Sequence, residues 1–287
     1  MTRKMWLADG LLLLAAMIWG VAFAVVKNTL DSIPPALLVA LRYLIAAGLT
    51  GMLFRRHLAG LTQGDLRRGA MTGGMLSLAY LTQTAGLQYT TAGKNAFLTT
   101  LYVLLVPVGA FLVFGAPLRR HTLLSAALTL AGIGLISLGG AEGRLNRGDA
   151  LTLLASVFFA AHILCIERFQ KKTDALALVV LQYLFCAFFA LLWHLCFERG
   201  RQLTLNGSAL MGLLYLAVFS TTIGMTLQNI GQSVAHSDHA VILLSMESVF
   251  GALSGVLLLG ERVTLPMGLG FAVIFTALVL CEMGEKS

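Results

Sequence analysis

Long apolar stretches alternate with short polar segments along the whole chain. Ten such stretches can be marked, most of them about 17–23 residues long. A helix rises about 1.5 Å per residue, so a stretch of this length crosses a bilayer core about 30 Å thick. Backbone groups in lipid find no water, and each crossing segment must satisfy its own hydrogen bonds as a helix. The pattern predicts helices over 5–27, 35–54, 67–88, 94–114, 121–139, 149–167, 175–197, 208–230, 239–259 and 265–282. Breakers separate several of them: Pro34-Pro35, Gly64-Asp65, Gly115-Ala116-Pro117, Gly139-Gly140 and Gly260-Glu261. The expectation is an all-α membrane protein of ten transmembrane helices with almost no soluble part.

Composition agrees. Apolar residues make up 58% of the 287 and charged residues 11%, whereas soluble domains carry about 25% charged residues. The net charge of +7 does not point to nucleic acid, because the basic residues flank helices and form no separate basic domain. They fit the positive-inside bias of cytoplasmic loops. With the N-terminus inside, the inner segments hold twelve Lys and Arg: Arg3, Lys4, Arg55, Arg56, Arg67, Arg68, Arg119, Arg120, Arg168, Lys171, Lys172 and Lys286. The outer segments hold seven: Lys27, Lys94, Arg144, Arg147, Arg199, Arg201 and Arg262. Arg42 lies inside a helix. This balance predicts a multi-pass protein of a bacterial inner membrane with both termini cytoplasmic. The first apolar stretch is too long for a signal peptide and reads as the first span. Cys165, Cys186, Cys196 and Cys281 lie in or beside apolar stretches without a CxxC pair, which fits small apolar residues better than a disulfide or metal site.

The two halves resemble each other. Asp9-Gly-Leu-Leu-Leu-Leu-Ala15 and Asp149-Ala-Leu-Thr-Leu-Leu-Ala155 agree at five of seven positions. Gly115 and Gly260 close equivalent helices. These matches predict two five-helix repeats, 1–145 and 146–287. Five is odd, so the second copy must sit upside down in the membrane. Inverted repeats of this kind build alternating-access carriers, with substrate bound near the midplane.

Further motifs carry a family resemblance. Gly86-Leu-Gln-Tyr-Thr-Thr-Ala-Gly-Lys-Asn-Ala-Phe-Leu-Thr-Thr-Leu-Tyr102 precedes Pro107 in the fourth helix. Ser245-Met-Glu-Ser-Val-Phe250 and Leu259-Gly-Glu-Arg262 mark the ninth, and Trp19-Gly20 and Arg42 lie in the first two. On these residues the chain resembles the EamA type of the drug/metabolite transporter superfamily. The resemblance implies two inverted five-helix repeats and secondary transport, more often export than uptake. Two positions depart from the family pattern. Ser248 stands where a proline is usual, which leaves any kink in the ninth helix open. Ala116 stands where an acid often follows the glycine, which weakens symmetric gating.

Polar groups inside a membrane are costly and mark candidate sites. Glu247 lies about 12 Å into its helix by helical rise, near the midplane. It is either a proton- or cation-binding carboxylate or a structural one paired across helices. His162 suits a proton relay or a substrate contact, or else a satisfied core histidine. These two are the ion-coupling candidates. Arg42 would attract an anionic group, snorkel to the interface or pair within the bundle. Polar stripes recur at 3.6 residues per turn: Asn95, Thr99 and Tyr102; Tyr80 and Thr84 with Gln83 beside them; Thr222, Thr226 and Asn229 with Gln228 beside them. They line a wet cavity or bond helix to helix, since both uses take the same residue types. Trp19 and Phe23 form an aromatic wall or plain packing.

The chain has no P-loop, HExxH or GxSxG, so neither direct use of ATP nor enzyme chemistry is expected. No cofactor is expected. The partners are a small-molecule substrate, the lipid bilayer and protons. The expected function is a secondary transporter, in the export direction, of a small polar or amphipathic metabolite such as an amino acid or organic cation. A channel-like permease is the alternative, and an intramembrane enzyme a distant third.

Overall fold

The computed structural model describes residues 3–115, 120–139, 145–232 and 237–284. Every described element is helical: α1 (Arg3–Thr29), α2 (Pro35–Leu53), α3 (Gln63–Leu87), α4 (Ala92–Thr99), α5 (Tyr102–Phe114), α6 (Arg120–Gly139), α7 (Arg147–Phe169), α8 (Ala175–Phe197), α9 (Gly207–Leu214), α10 (Gly224–Gln232), α11 (Ser237–Leu259) and α12 (Leu265–Gly284). A 3-10 turn, Arg55–Leu58, follows α2, and a π-helical stretch, Tyr215–Ile223, joins α9 to α10. Among the described residues, six helical segments are long and apolar enough to cross a membrane, and three shorter apolar helices accompany them.

Local chemistry fixes where the helices start. Thr62 accepts a hydrogen bond from the Asp65 backbone N–H, and Asp65 accepts one from that of Thr62, so α3 begins at Gln63, ahead of the expected residue 67. Asn146 and Asp149 form the same reciprocal pair at the start of α7. Asp174 caps α8 through the Leu176 and Ala177 N–H groups. The Pro34-Pro35 start of α2 has no side-chain cap of its own. Glu198, at the far end of α8, supplies one by accepting from the Ala36 N–H at 3.1 Å.

Two expected helices differ in detail. The one over 94–114 is broken at Thr100–Leu101 into α4 and α5. There the bonds tighten to three-residue spacing, from Val103 N–H to the Thr100 carbonyl and from Leu104 N–H to that of Leu101. Pro107 downstream removes the N–H that the Val103 carbonyl would accept. The helix over 208–230 is continuous but widens through the π stretch. The ninth helix has no break at Ser248: α11 is helical throughout, and the Ser248 hydroxyl bonds the Ser245 carbonyl at 2.8 Å.

Helix pairing follows a pattern. α1 packs on α11 and α10, while α7 packs on α4, α5 and α3. α3 packs on α8, while α2 packs on the π stretch. α2 also packs on α8, α4 on α11 and α6 on α12. Exchanging each of these elements for its counterpart a half-chain away returns these same pairs, while lesser contacts such as α2 with α3 and α1 with α4 have no comparable exchanged counterpart among the described residues. Glycines let backbones touch at these crossings. A Cβ on Gly20 would lie 2.8 Å from the Gly251 nitrogen, and one on Gly270 would lie 2.7 Å from the Gly132 carbonyl oxygen. Large apolar side chains such as Phe188, Leu192 and Phe197 of α8 are exposed on the periphery. In water such a surface would be a liability, but lipid is its natural solvent.

The bundle has an upper end, where α4 and α7 start, and a lower end, where α3 and α8 start.

A central polar cavity sealed at its upper end

A cavity of about 200 Å³ lies at the centre of the bundle. α1 contributes Trp19 and Phe23, and α3 contributes Tyr80, Gln83 and Thr84. Asn95 and Thr99 of α4 join Tyr102 of α5. His162, Gln228 and Glu247 enter from α7, α10 and α11. Eleven of the thirteen candidate residues therefore share one cavity wall.

The remaining two do not. Thr226 is exposed and donates to the Thr222 carbonyl. Thr222 donates to the carbonyl of Ala217, five residues back, the spacing of a π-helix. The wide turn shifts the phase of the helix. Ser220, Thr221, Met225 and Gln228 face the cavity instead. The side chain of Asn229 lies outside the described residues, as does Ala116.

Arg42 is the buried cation of the site, only 4% exposed. Its Nε donates to Thr221 Oγ1 at 2.8 Å and its Nη2 to Ser220 Oγ at 3.1 Å. Its guanidinium carbon lies 4.7 Å from the centre of the Tyr80 ring and 5.4 Å from that of Tyr43, within cation–π range. Trp19 Nε1 donates to the Ser220 carbonyl at 2.8 Å, so the π stretch is tied to α1 and α2 together. Glu247 is also buried, and Tyr102 Oη donates to its Oε1 at 3.4 Å. His162 Nε2 lies 2.7 Å from Gln182 Oε1 and donates to it.

The amide stripe has two roles at once. Asn95 Nδ2 donates to Thr152 Oγ1 at 2.7 Å and to the Gln83 carbonyl at 3.3 Å, while Gln83 Nε2 donates to Thr99 Oγ1 at 3.0 Å. These residues bond α3, α4 and α7 together while facing the cavity.

Above the cavity lies a polar seal. Lys94 Nζ and Asp149 Oδ2 form an ion pair at 3.3 Å, 5% and 0% exposed. Thr90 Oγ1 also donates to Asp149. Glu261, following α11, accepts from the Ala92 N–H at 2.6 Å and the Gly93 N–H at 3.1 Å. A carboxylate at a helix N-terminus satisfies otherwise unpaired donors and complements the helix dipole. Lys27 donates to the Leu87 carbonyl at 2.8 Å and to that of Thr90. The lower end is tied differently. Arg68 bonds Asp65 at 2.8 Å and Thr173 Oγ1 at 2.6 Å, and His57 faces Asp174 at 3.1 Å. The Thr62 hydroxyl, followed by Arg68, holds the Asp65 carboxyl well below its ordinary value. The Ala177 N–H, followed by His57, holds Asp174 below its own.

Sequence reasoning did not single out Tyr43, Phe159, Tyr183, Ser220 or Thr221 as lining residues. Ser220 and Thr221 were visible as a hydroxyl run, but their phase was not. Lys94 and Asp149 looked like an ordinary flank and an ordinary helix opening. The Asn146–Asp149 spacing marks a cap but gives no sign of the lysine.

Fold and cavity define a multi-pass membrane protein built around a central polar chamber. The EamA-like transporter family matches residues 6–138 and again 146–282. The chain belongs to that family, within the drug/metabolite transporter superfamily, and is a transporter and not an enzyme. It is 33% identical over 280 residues to an uncharacterized transporter of Archaeoglobus fulgidus, covering 96% of this chain and 86% of that one. It is 29% identical over 308 residues to a protein of Salmonella typhimurium named a probable amino-acid metabolite efflux pump, covering 100% and 97% of the two chains. A crystal structure of another protein superposes with a TM-score of 0.70 over 97% of each chain, at 18% identity, which establishes the shared fold.

Proposed function

We propose that this protein is a secondary transporter that exports a small polar or amphipathic metabolite, such as an amino acid or organic cation, by alternating access. The single observation that carries this reading is a central cavity holding Arg42, Glu247 and His162 beneath a buried polar seal. A chamber closed at one end by contacts between the halves is what a carrier in one of its two access states requires. In this reading α4 with α5, and α9 with α10, each count as one span. That makes ten spans in two inverted repeats, 1–145 and 146–287. The exchange pattern of helix pairs and the double family match support the duplication. The Lys and Arg balance supports cytoplasmic termini, which puts the upper end outside the cell. The efflux function named for the Salmonella relative supports export. Protons are the proposed coupling ion, with Glu247 and His162 as the groups that would carry them. Thr222 and Thr226 drop out of the proposed site.

Counterflow in proteoliposomes tests the reading. Vesicles preloaded with unlabelled substrate should transiently accumulate external label, and uptake should saturate. Flux that rises linearly with concentration, without counterflow, would identify a channel and overturn the carrier.

A further inference from the structure

We infer that Arg42 is an anchor for the carboxylate of the transported molecule, and that the substrates of this cavity are organic carboxylates. The inference rests on the transporter reading and adds the substrate class.

Arg42 has more donors than partners. A guanidinium has five N–H donors in a planar fork and remains charged in a protein. Two hydroxyls occupy Nε and Nη2, and Nη1 donates to no protein group among the described residues. The ion pairs of the described residues do not include Arg42, so no carboxylate of the protein neutralises it there. A buried cation without a partner anion is expensive, and such charges in proteins are normally paired. Snorkelling to water would relieve the cost, but Arg42 is pinned the other way. Ser220 and Thr221 hold one edge of the guanidinium, and the Tyr80 and Tyr43 rings lie within cation–π distance of it. The site is rigid, positive and aimed at the cavity.

A second observation is independent of Arg42. The Tyr183 hydroxyl, buried in the same cluster with its ring 5.4 Å from that of Tyr43, has no hydrogen-bond partner. This part of the cavity therefore holds an unused hydroxyl, able to donate or accept, besides the unused guanidinium N–H groups. At the wall beyond Tyr80, unused acceptors gather instead. Glu247 is an acceptor near Tyr102, and Asn95 Oδ1 has no donor. Between the two lies an aromatic row: the Tyr80 ring is 5.1 Å from that of Phe159, which is 6.1 Å from that of Tyr102. The geometry suits a carboxylate at Arg42 with an apolar body along the rings. A positively charged amine without an acid group would have to enter beside an unneutralised guanidinium. Such repulsion of the wrong ligand adds to the discrimination that a good fit provides.

Three ligands that differ only at their charged ends test the inference: leucine, 4-methylpentanoate and 3-methylbutylamine. Each is measured by competition for counterflow in proteoliposomes and by thermal stabilisation of the purified carrier. The two acids should compete at least tenfold better than the amine. Arg42→Gln should abolish competition by the acids and leave or improve that by the amine, and Arg42→Lys should recover part of the acid affinity. Equal competition by the amine and the acids in the unaltered protein would overturn the inference, whatever Arg42→Gln does to folding. The same holds if Arg42→Gln weakens acids and amine alike. Saturable counterflow of the amine alone would defeat the carboxylate assignment but keep the transporter. An absence of counterflow with every ligand, alongside channel-like flux, would defeat the transporter reading itself.

Discussion

The two ends of the bundle solve the same problem with opposite chemistry. At the lower end, polar side chains tie the loop before α3 to the loop before α8, and the His57–Asp174 pair does so near water. His57 and Asp174 keep 41% and 50% of their side-chain surface exposed. At the upper end the ties are buried: Lys94 and Asp149 are almost inaccessible, and two carboxylates cap helices that belong to the other half of the chain. Exposed pairs contribute little because water and salt screen them. Buried pairs are strongly destabilising to break, because the surviving charge stays in a low dielectric. In the alternating-access cycle proposed above, opening the upper end would require several buried polar groups to part together.

The largest effect should come from the ion pair. Asp149→Ala leaves Lys94 buried and unpaired, and should lower unfolding stability in nanodiscs by about 3–5 kcal/mol. The equivalent change at the lower end, His57→Ala, should cost between zero and about 1 kcal/mol. Similar losses from the two changes would erase the contrast between the ends.

Capping across the halves ranks next. Glu261→Ala frees the N–H groups that start α4, and Glu198→Ala frees the one near the start of α2. Each should cost about 1–2 kcal/mol, the usual range for a lost cap, measured by thermal unfolding. Since Glu198 also faces His194 at 3.1 Å, its substitution should disturb the end of α8 as well.

The smallest effect concerns pH. The folded-state values of Asp65 and Asp174 lie below their ordinary values. Their contribution is thus complete above the unfolded carboxylate value, near pH 4, and is lost as pH falls through the depressed folded values. Stability measured from pH 7 downward should decline less steeply in Asp65→Asn than in the unaltered protein. Parallel curves would remove Asp65 from the lower tie.

Much of this architecture is legible in the chain. Apolar length locates the helices, and a 3.6-residue rhythm locates most of the cavity wall, because spans in lipid are straight enough for the rhythm to hold. It fails at Thr222 and Thr226 because Thr221, Met225 and Gln228 keep the same rhythm one position away, and the rhythm alone does not say which face meets the cavity. The break at Thr100–Leu101 was hidden for a related reason: Pro107 is visible, but the place where the chain yields lies a turn and more before it. The seal was illegible for a different reason. Lys94 with Asp149 and Glu261 with Ala92 are pairings between halves, and a sequence states neighbours along the chain but not across it.

The central claim is that the cavity is shut at the upper end by the buried seal and opens there only when the seal parts. Gln83→Cys, made with Cys165, Cys186, Cys196 and Cys281 replaced by alanine, places one thiol on the cavity wall. A membrane-impermeant thiol reagent is then applied to the upper face of oriented vesicles. Labelling should be negligible with the seal intact and at least tenfold faster when Asp149→Asn is added. Fast labelling from the upper face with Lys94 and Asp149 intact, or a rate indifferent to their loss, would contradict it.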